Sequence, residues 1–327
     1  MTSICYITSR QNPFFEWFLD SLDYQTSPGD KANLELIFID RLLWDENVPK
    51  DIQELNIFTD FQNQERKKYL EDKVAGRFNF KHVGPKPSVW QTPWRVTQED
   101  WFAASNVRNT GLICAKGDFI VFVDDLSVLT GQWFKAVKEA TQSGKVTCGA
   151  YRKVKELCVD NGNIVNFVNH PQGIDNRFSY GNDSSPVVCS GHWLYGCSFT
   201  CPTEFLLDVN GSDEMCDGLG FEDCILGIRL ANRGYHFQYD RRMLSYESEE
   251  HHFIDKVMRR TDKGISPNDK SHAILARANG SNRADNSWLG EGGVRALRDK
   301  VLSTGIVPVM IEPQQDWHDG QMIKEMA

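Results

Sequence analysis

Phe119-Ile120-Val121-Phe122-Val123 is an unbroken run of five apolar residues, entered through Lys116-Gly117-Asp118 and closed by Asp124-Asp125. A short apolar run bounded by turn signals reads as a buried strand. Upstream, strand signals alternate with helical ones. Ile4 to Ile7 is a short apolar run ending at Thr8-Ser9-Arg10, and Phe14, Phe15, Phe18, Leu19 and Leu22 then fall at helical spacing. Leu34 to Ile39 is a second buried-type strand ending at Asp40, and Phe80 to Val83 is a weaker third. A helix is expected from about Gln98 to Ala115, and another over Trp133 to Thr141. This alternation predicts a mostly parallel sheet with crossovers. Ligands of such sheets bind beyond the carboxyl ends of the strands. Thr8-Ser9-Arg10, Asp40-Arg41 and Asp124-Asp125 are therefore expected to line one cleft.

From about residue 146 the texture changes. Val146 to Lys155 and Val187 to Thr200 read as extended, with the turn-rich Gly181 to Pro186 between them. A short helix over Thr203 to Leu207 precedes the turn Asp217-Gly218-Leu219-Gly220, and a helix follows over Phe221 to Asn232. Gly234 suits that helix's C-terminal end, and Tyr235 to Tyr239 is a further strand.

Two acidic pairs carry the chemistry. Asp124-Asp125, at a strand end, offer the carboxylate oxygens that Mg²⁺ or Mn²⁺ prefers and could bridge to a diphosphate. The competing reading is a helix-capping loop. Glu222-Asp223 follow a glycine-rich turn that permits close approach of a ligand. A carboxylate there is favoured as the anion by the helix dipole and could act as a general base; the plain alternative is an N-terminal cap. Arg108, in Ser105-Asn106-Val107-Arg108-Asn109-Thr110-Gly111, could contact a phosphate or a pyrimidine ring. Asn109 and Gly111 suit close packing of that helix. His251-His252 could complete the coordination of a divalent ion or form a solvated turn. Trp193 and Tyr195, ahead of Gly196, are candidates for an acceptor pocket, as is Gly220. Trp90, Trp94 and Trp101 could bind a sugar or a base, or simply pack a long connection.

The net charge of −9 over 327 residues argues against a general nucleic-acid coat protein. The nine cysteines are odd in number and mostly lie in apolar segments, which predicts free thiols in a reducing compartment. Cys197-x-x-x-Cys201 lacks a second pair, so zinc is not expected. The N-terminus lacks the features of a signal peptide, and no stretch has the ~18 apolar residues of a membrane span. A soluble, cytoplasmic protein is expected. The absence of G-x-G-x-x-G after any strand disfavours a dinucleotide dehydrogenase.

Together these residues resemble glycosyltransferase family 2, with its GT-A fold. Ile4 to Arg10 with Phe18 to Leu22 looks like that family's opening strand and helix. Arg108-Asn109-Thr110-Gly111-Leu112, running through Ala115-Lys116-Gly117-Asp118 into Phe122-Val123-Asp124-Asp125, resembles its central signature. Gly218-Leu219-Gly220-Phe221-Glu222-Asp223 with Arg229 to Gly234 is similar to its acceptor-side motif. The resemblance spans about residues 3–240. It implies an α/β, Rossmann-like GT-A domain with helices on both faces over 1–254, with a donor half (1–126), an acceptor half (127–254) and a C-terminal extension (255–327). It implies that Thr8, Ser9, Arg10, Asp40, Arg108 and Asp124 surround a nucleotide-sugar, UDP being the commonest nucleotide. Asp125 and His251 or His252 would then ligate a divalent metal, Asp223 would be the catalytic base, and Glu222 would orient the acceptor. Leu126 departs from the commoner D-x-D pattern.

Two acceptors are expected candidates: a glycan or lipid-linked sugar, and a hydroxylated base in nucleic acid. The second option is motivated by Lys256, Arg259, Arg260, Lys263 and Lys270, because residues 255–300 hold ten Lys/Arg against six Asp/Glu, although an ordinary solvated surface is the plainer reading of that segment. Two other classes remain: a sugar-nucleotide nucleotidyltransferase, for which Thr8 to Pro13 lacks the glycine-rich loop, and an inactive sugar-nucleotide binder.

Overall fold

The computed structural model describes residues 1–41, 43, 60–87, 103–217, 221–251 and 278–308. In chain order the elements are β1 (Thr2–Thr8), α1 (Phe15–Gln25), α2 (Pro28–Ala32), β2 (Leu34–Asp40), α3 (Asp60–Val74), β3 (Asn79–Val83), α4 (Ala104–Cys114), β4 (Phe119–Asp124), β5 (Ser127–Leu129) and α5 (Trp133–Ser143). There follow β6 (Val146–Asp160), β7 (Asn163–Ile174), β8 (Val187–Val188), β9 (Ser198–Pro202), α6 (Thr203–Asp208), α7 (Glu222–Asn232), β10 (Phe237–Ser248) and α8 (Gly293–Thr304).

One sheet runs β3-β2-β1-β4-β9-β6-β10-β5, with β7 added beside β6 and β8 beside β10. The four strands β3-β2-β1-β4 are parallel throughout. The parallel expectation is met there; beyond β4 the sheet is mixed, since β9 pairs antiparallel with both β4 and β6. The unbroken apolar runs have a direct cause. Cys5, Ile7, Ile120 and Phe122 face a core shared with α4, α7 and α8. Ile4, Tyr6, Val121 and Val123 face the opposite core, shared with α1, α3 and α5. A strand covered on both faces needs apolar residues at every position.

Register places the strand ends in a row. Thr8 pairs with Asp40, and Ile7 with Asp124. The turn after β4 is then pinned. Leu126 adopts φ 61°, its N–H donates to the Tyr6 hydroxyl at 3.1 Å, and that hydroxyl donates to the Pro13 carbonyl at 2.7 Å. A buried leucine in the left-handed region is held there by its surroundings. This fixed turn is how an Asp-Asp-Leu sequence presents both carboxylates.

Two expectations shift. Val187 to Thr200 is not continuously extended, because a 3₁₀ turn at Gly191–Trp193 breaks it. The strand expected over Tyr235 to Tyr239 runs on to Ser248, across a bulge between Tyr239 and Leu244. Of the helix expected from about Gln98, residues 98–102 lie outside the described residues. The described part of the C-terminal extension is ordered, and α8 packs on α4.

Candidate active site

The two acidic pairs meet. Arg108, on α4, is 4% exposed. Its Nη1 donates to Glu222 Oε1 at 2.9 Å, and its Nη2 lies 3.6 Å from Asp124 Oδ1. Burial opposes its charge, yet Asp124, then Glu222 and Asp223, hold the guanidinium firmly protonated. It joins one carboxylate from each pair as a buried strut. Gly196 makes room for it, since a Cβ there would lie 1.7 Å from Arg108 Nη2.

On the β1 side, Thr8 Oγ1 donates to Asp125 Oδ2 at 2.6 Å, and Arg10 Nε is 3.0 Å from the same oxygen. Ser9 is buried beside them. Asp40 is fully buried. Arg66 of α3 reaches it with Nε and, at 3.1 Å, with Nη2, while His82 Nε2 lies 3.0 Å away. Burial alone would raise its pKa, but Arg66 and then His82 hold this carboxyl well below the usual range. Arg66 also donates to the Arg10 carbonyl at 2.7 Å, tying α3 to the β1 loop.

Asp223 sits in the first turn of α7. Phe221 takes the N-cap position with φ 63° and no side-chain cap. Asp223 Oδ2 accepts from Gly196 N–H at 3.0 Å, and Oδ1 from Cys224 N–H at 2.7 Å. A helix N-terminus favours an anion at this position. Burial and then Glu222 outweigh the opposing groups, and the Asp223 pKa is raised. Asp124 is likewise pushed up to about 6, by burial first and then by Asp125 and Glu222, against the pull of Arg108.

Glu247 is a fifth carboxylate that sequence reasoning missed. It lies on β10, 8% exposed, and burial, then Asp124 and Asp125, raise it to about 7 against the pull of Lys153 at 3.9 Å. The half-buried Cys197 thiol lies among Glu247, Asp124 and Asp223; burial first, then these charges, raise its pKa. Tyr195 stands beside this group with Arg177 stacked 3.8 Å from its ring centre and Tyr151 at 5.7 Å. Asp175 fixes Arg177 at 2.6 Å. Trp193 turns toward the core instead, against Tyr239 and Tyr180. The His251 imidazole packs on Phe14, and its carbonyl accepts from Arg10 Nη1 at 3.2 Å. His252, Gly220, the three tryptophans Trp90, Trp94 and Trp101, and the basic group from Lys256 to Lys270 lie outside the described residues.

Among the described residues, no group of three or more His, Cys, Asp and Glu side chains is arranged to hold an ion by itself. The donor chemistry nonetheless fits a Mg²⁺ or Mn²⁺ shared with substrate. Such ions take one or two protein carboxylates and complete their shell with phosphate oxygens and water. Asp124 Oδ1 is buried without a hydrogen-bond partner, and Asp125 stands next to it. All nine cysteines are free. No described helix is long and apolar enough to cross a membrane. A separate cavity of about 550 Å³ lies on another face of α7, lined by Lys145, His192, Ile228, Asn232, His236 and Phe237 among others; it contains none of the five carboxylates.

No family model matches the sequence, and no curated protein matches it. Solved structures do. S. aureus TarS 1–349 in complex with UDP-GlcNAc aligns at TM-score 0.53 and 14% identity, over 92% of this chain and 70% of that one. The same fragment in complex with UDP aligns at 0.52 and 15%, over 92% and 69%. The longer TarS structure aligns at 0.50 and 14%, over 92% of this chain and 42% of its own. The likeness is one of fold, and the fold is GT-A-like.

Proposed function

We propose that this chain is a glycosyltransferase that moves a sugar from a nucleoside diphosphate sugar to an acceptor hydroxyl with inversion. The observation that carries the reading is that Arg108 joins the two acidic pairs, reaching Asp124 of one and Glu222 of the other. The TarS structures hold UDP and UDP-GlcNAc, and a UDP-sugar is accordingly the proposed donor.

Asp223 takes the acceptor proton as the new C1–O bond forms and the C1–diphosphate bond breaks, the bonding pair leaving with the diphosphate. Its raised proton affinity suits a base that must capture a proton during the reaction. Glu222, held by Arg108, orients the acceptor. Asp125 with Asp124 would hold the divalent ion, which supplies charge stabilisation to the leaving diphosphate when bound. Thr8 and Arg10 fix the Asp125 carboxylate, and Arg108 stops the acidic cluster from repelling itself apart. Thr8, Ser9 and Arg10 line the nucleotide site, and Asp40 acts there through Arg66 and His82. Tyr195 is the acceptor platform. A neutral glycan or lipid-linked sugar suits this cleft, where Arg108 and Lys153 already face protein carboxylates.

The test is a panel of UDP- and GDP-sugars assayed with Mn²⁺ by thermal shift and by nucleotide release. One donor should raise the melting temperature and release its nucleoside diphosphate at a steady rate. Binding without release would point to an inactive binder, and release of pyrophosphate from a sugar phosphate plus UTP to a nucleotidyltransferase.

A further inference from the structure

The segment between β9 and α7 contains a loop, residues 209–217, a few residues ahead of Glu222 and Asp223 in the chain. Buried polar groups hold its second half. Asp217 accepts from the Ser105 and Asn106 N–H groups at 2.6 and 3.1 Å, capping α4, the helix of Arg108. Asn109 of α4 donates to the Ser212 carbonyl and to Glu214 Oε1, both at 2.8 Å, and accepts from Ser212 N–H at 2.8 Å. Glu214 and Lys86 form an ion pair with no exposed surface. Asp213 pairs with Arg229 of α7 at 2.6 Å.

The other side of the loop is held from the C-terminal extension. Asn286 is fully buried. Its Nδ2 donates to the Asn210 and Ser212 carbonyls at 2.7 and 2.9 Å, and its Oδ1 accepts from Glu214 N–H at 3.3 Å. Ala284 N–H donates to the Val209 carbonyl at 2.7 Å, and Val294 N–H to Asn210 Oδ1 at 3.0 Å. Trp288 lays its ring 4.6 Å from Lys86 Nζ. Buried polar networks rigidify what they connect when their members are satisfied. The Asp213–Arg229 pair joins the loop directly to α7, and a base displaced by about 1 Å loses much of its effect.

We infer that residues 284–294 position the Glu222-Asp223 pair by clamping the 209–217 loop, with Asn286 as the central positioning residue. The kinetic consequence rests on the proposed sugar transfer; the mechanical one does not. The C-terminal extension is thereby assigned a task in the acceptor half rather than a separate activity.

The experiment compares Asn286→Ala with Arg295→Ala in the full chain. Arg295→Ala breaks an exposed pair with Glu204 that ties α8 to α6, without touching the loop. Asn286→Ala removes three buried hydrogen bonds, those to the Asn210 and Ser212 carbonyls and from Glu214 N–H, so amide hydrogen exchange over 213–217 and 222–226 should accelerate about tenfold, with β1 and β4 unchanged. Transfer kcat should fall by about tenfold while UDP binding with Mn²⁺ stays within about twofold. Arg295→Ala should leave all of these at wild-type values. Unchanged exchange in Asn286→Ala overturns the inference, as does a fall in UDP affinity in step with kcat. Should Asn286→Ala not fold, Trp288→Leu gives the same readouts with a smaller expected effect, and wild-type values there overturn it equally. Wild-type protein that turns over no donor would refute the proposed function, and the exchange measurement would still decide the clamp.

Discussion

Replacing Glu247 by glutamine should stabilise the protein at alkaline pH and not at acid pH. Glu247 is 8% exposed, its Oε1 is buried without a hydrogen-bond partner, and its nearest cation, Lys153, stands 3.9 Å away and is shared with Glu249. Burial, with Asp124 and Asp125, therefore raises its pKa from 4.5 to about 7. The folded state holds this proton more tightly than the unfolded chain. The stabilisation is fully present below pH 4.5 and is lost as pH rises through about 7. Ionising such a carboxyl costs at most about 3 kcal/mol, and solvent reaching the cleft edge lowers that figure. Glutamine has no proton to lose. Urea unfolding in EDTA at pH 5 and pH 8 measures the difference, because EDTA removes ions that would compete for the same carboxylates. The variant should exceed wild type at pH 8 by about 1–3 kcal/mol and come close to it at pH 5, with an unchanged m-value. Parallel pH profiles for the two proteins would refute the claim that Glu247 is forced to carry an unfavourable charge.

Added Mn²⁺ should raise the melting temperature more at pH 8 than at pH 5, because Asp124 must lose a proton held up to about 6 before it can coordinate; equal shifts at both pH values would remove Asp124 from the ion site. Asp223→Asn should cut transfer by about 10²–10⁴-fold with UDP-sugar affinity nearly unchanged, as judged by single-turnover kinetics and calorimetry; near-normal turnover would reassign the base. Arg108→Met should destabilise by at most about 3–5 kcal/mol, because the half-buried Asp124 and Glu222 carboxylates lose the buried cation between them. Gly196→Ala should share part of that loss in chemical denaturation, since its Cβ would meet the guanidinium at 1.7 Å; a fully stable alanine variant would mean that Arg108 is not confined there.

Strands β1, β2 and β4 and their helices were legible because the signal is local. Their period and length follow from burial on two faces, and the carboxylate pair after Val123 needed only the strand's end to be found. Other features were hidden for identifiable reasons. The second half of β10 crosses Asp240, Arg241 and Arg242, which break the apolar pattern; Arg242 is buried only because Asp240 and Glu139 pair with it, at 2.7 and 2.6 Å. Glu247 was invisible for the same reason, standing in Tyr246-Glu247-Ser248-Glu249-Glu250 with nothing nearby to mark one acid from the next. In the C-terminal extension, the stretch before α8 gave a faint signal because Asn286 and Asn210 hold it by hydrogen bonds, while α8 itself packs Val294, Leu297 and Val301 into the core.

The residue order alone determined that β1, β2 and β4 become strands and that α1, α5 and α7 become helices, and that each acidic pair would stand at the end of an element, since those outcomes depend on neighbours a few positions away. Tertiary structure alone decided that Arg108 would lie between Asp124 and Glu222, that Asp40 would stay ionised by Arg66 and His82, and that Glu247 would resist ionisation beside Asp125. Charge, unlike periodicity, is set by burial and by partners brought from distant parts of the chain, so a carboxylate's chemistry exists only once the fold has chosen its surroundings.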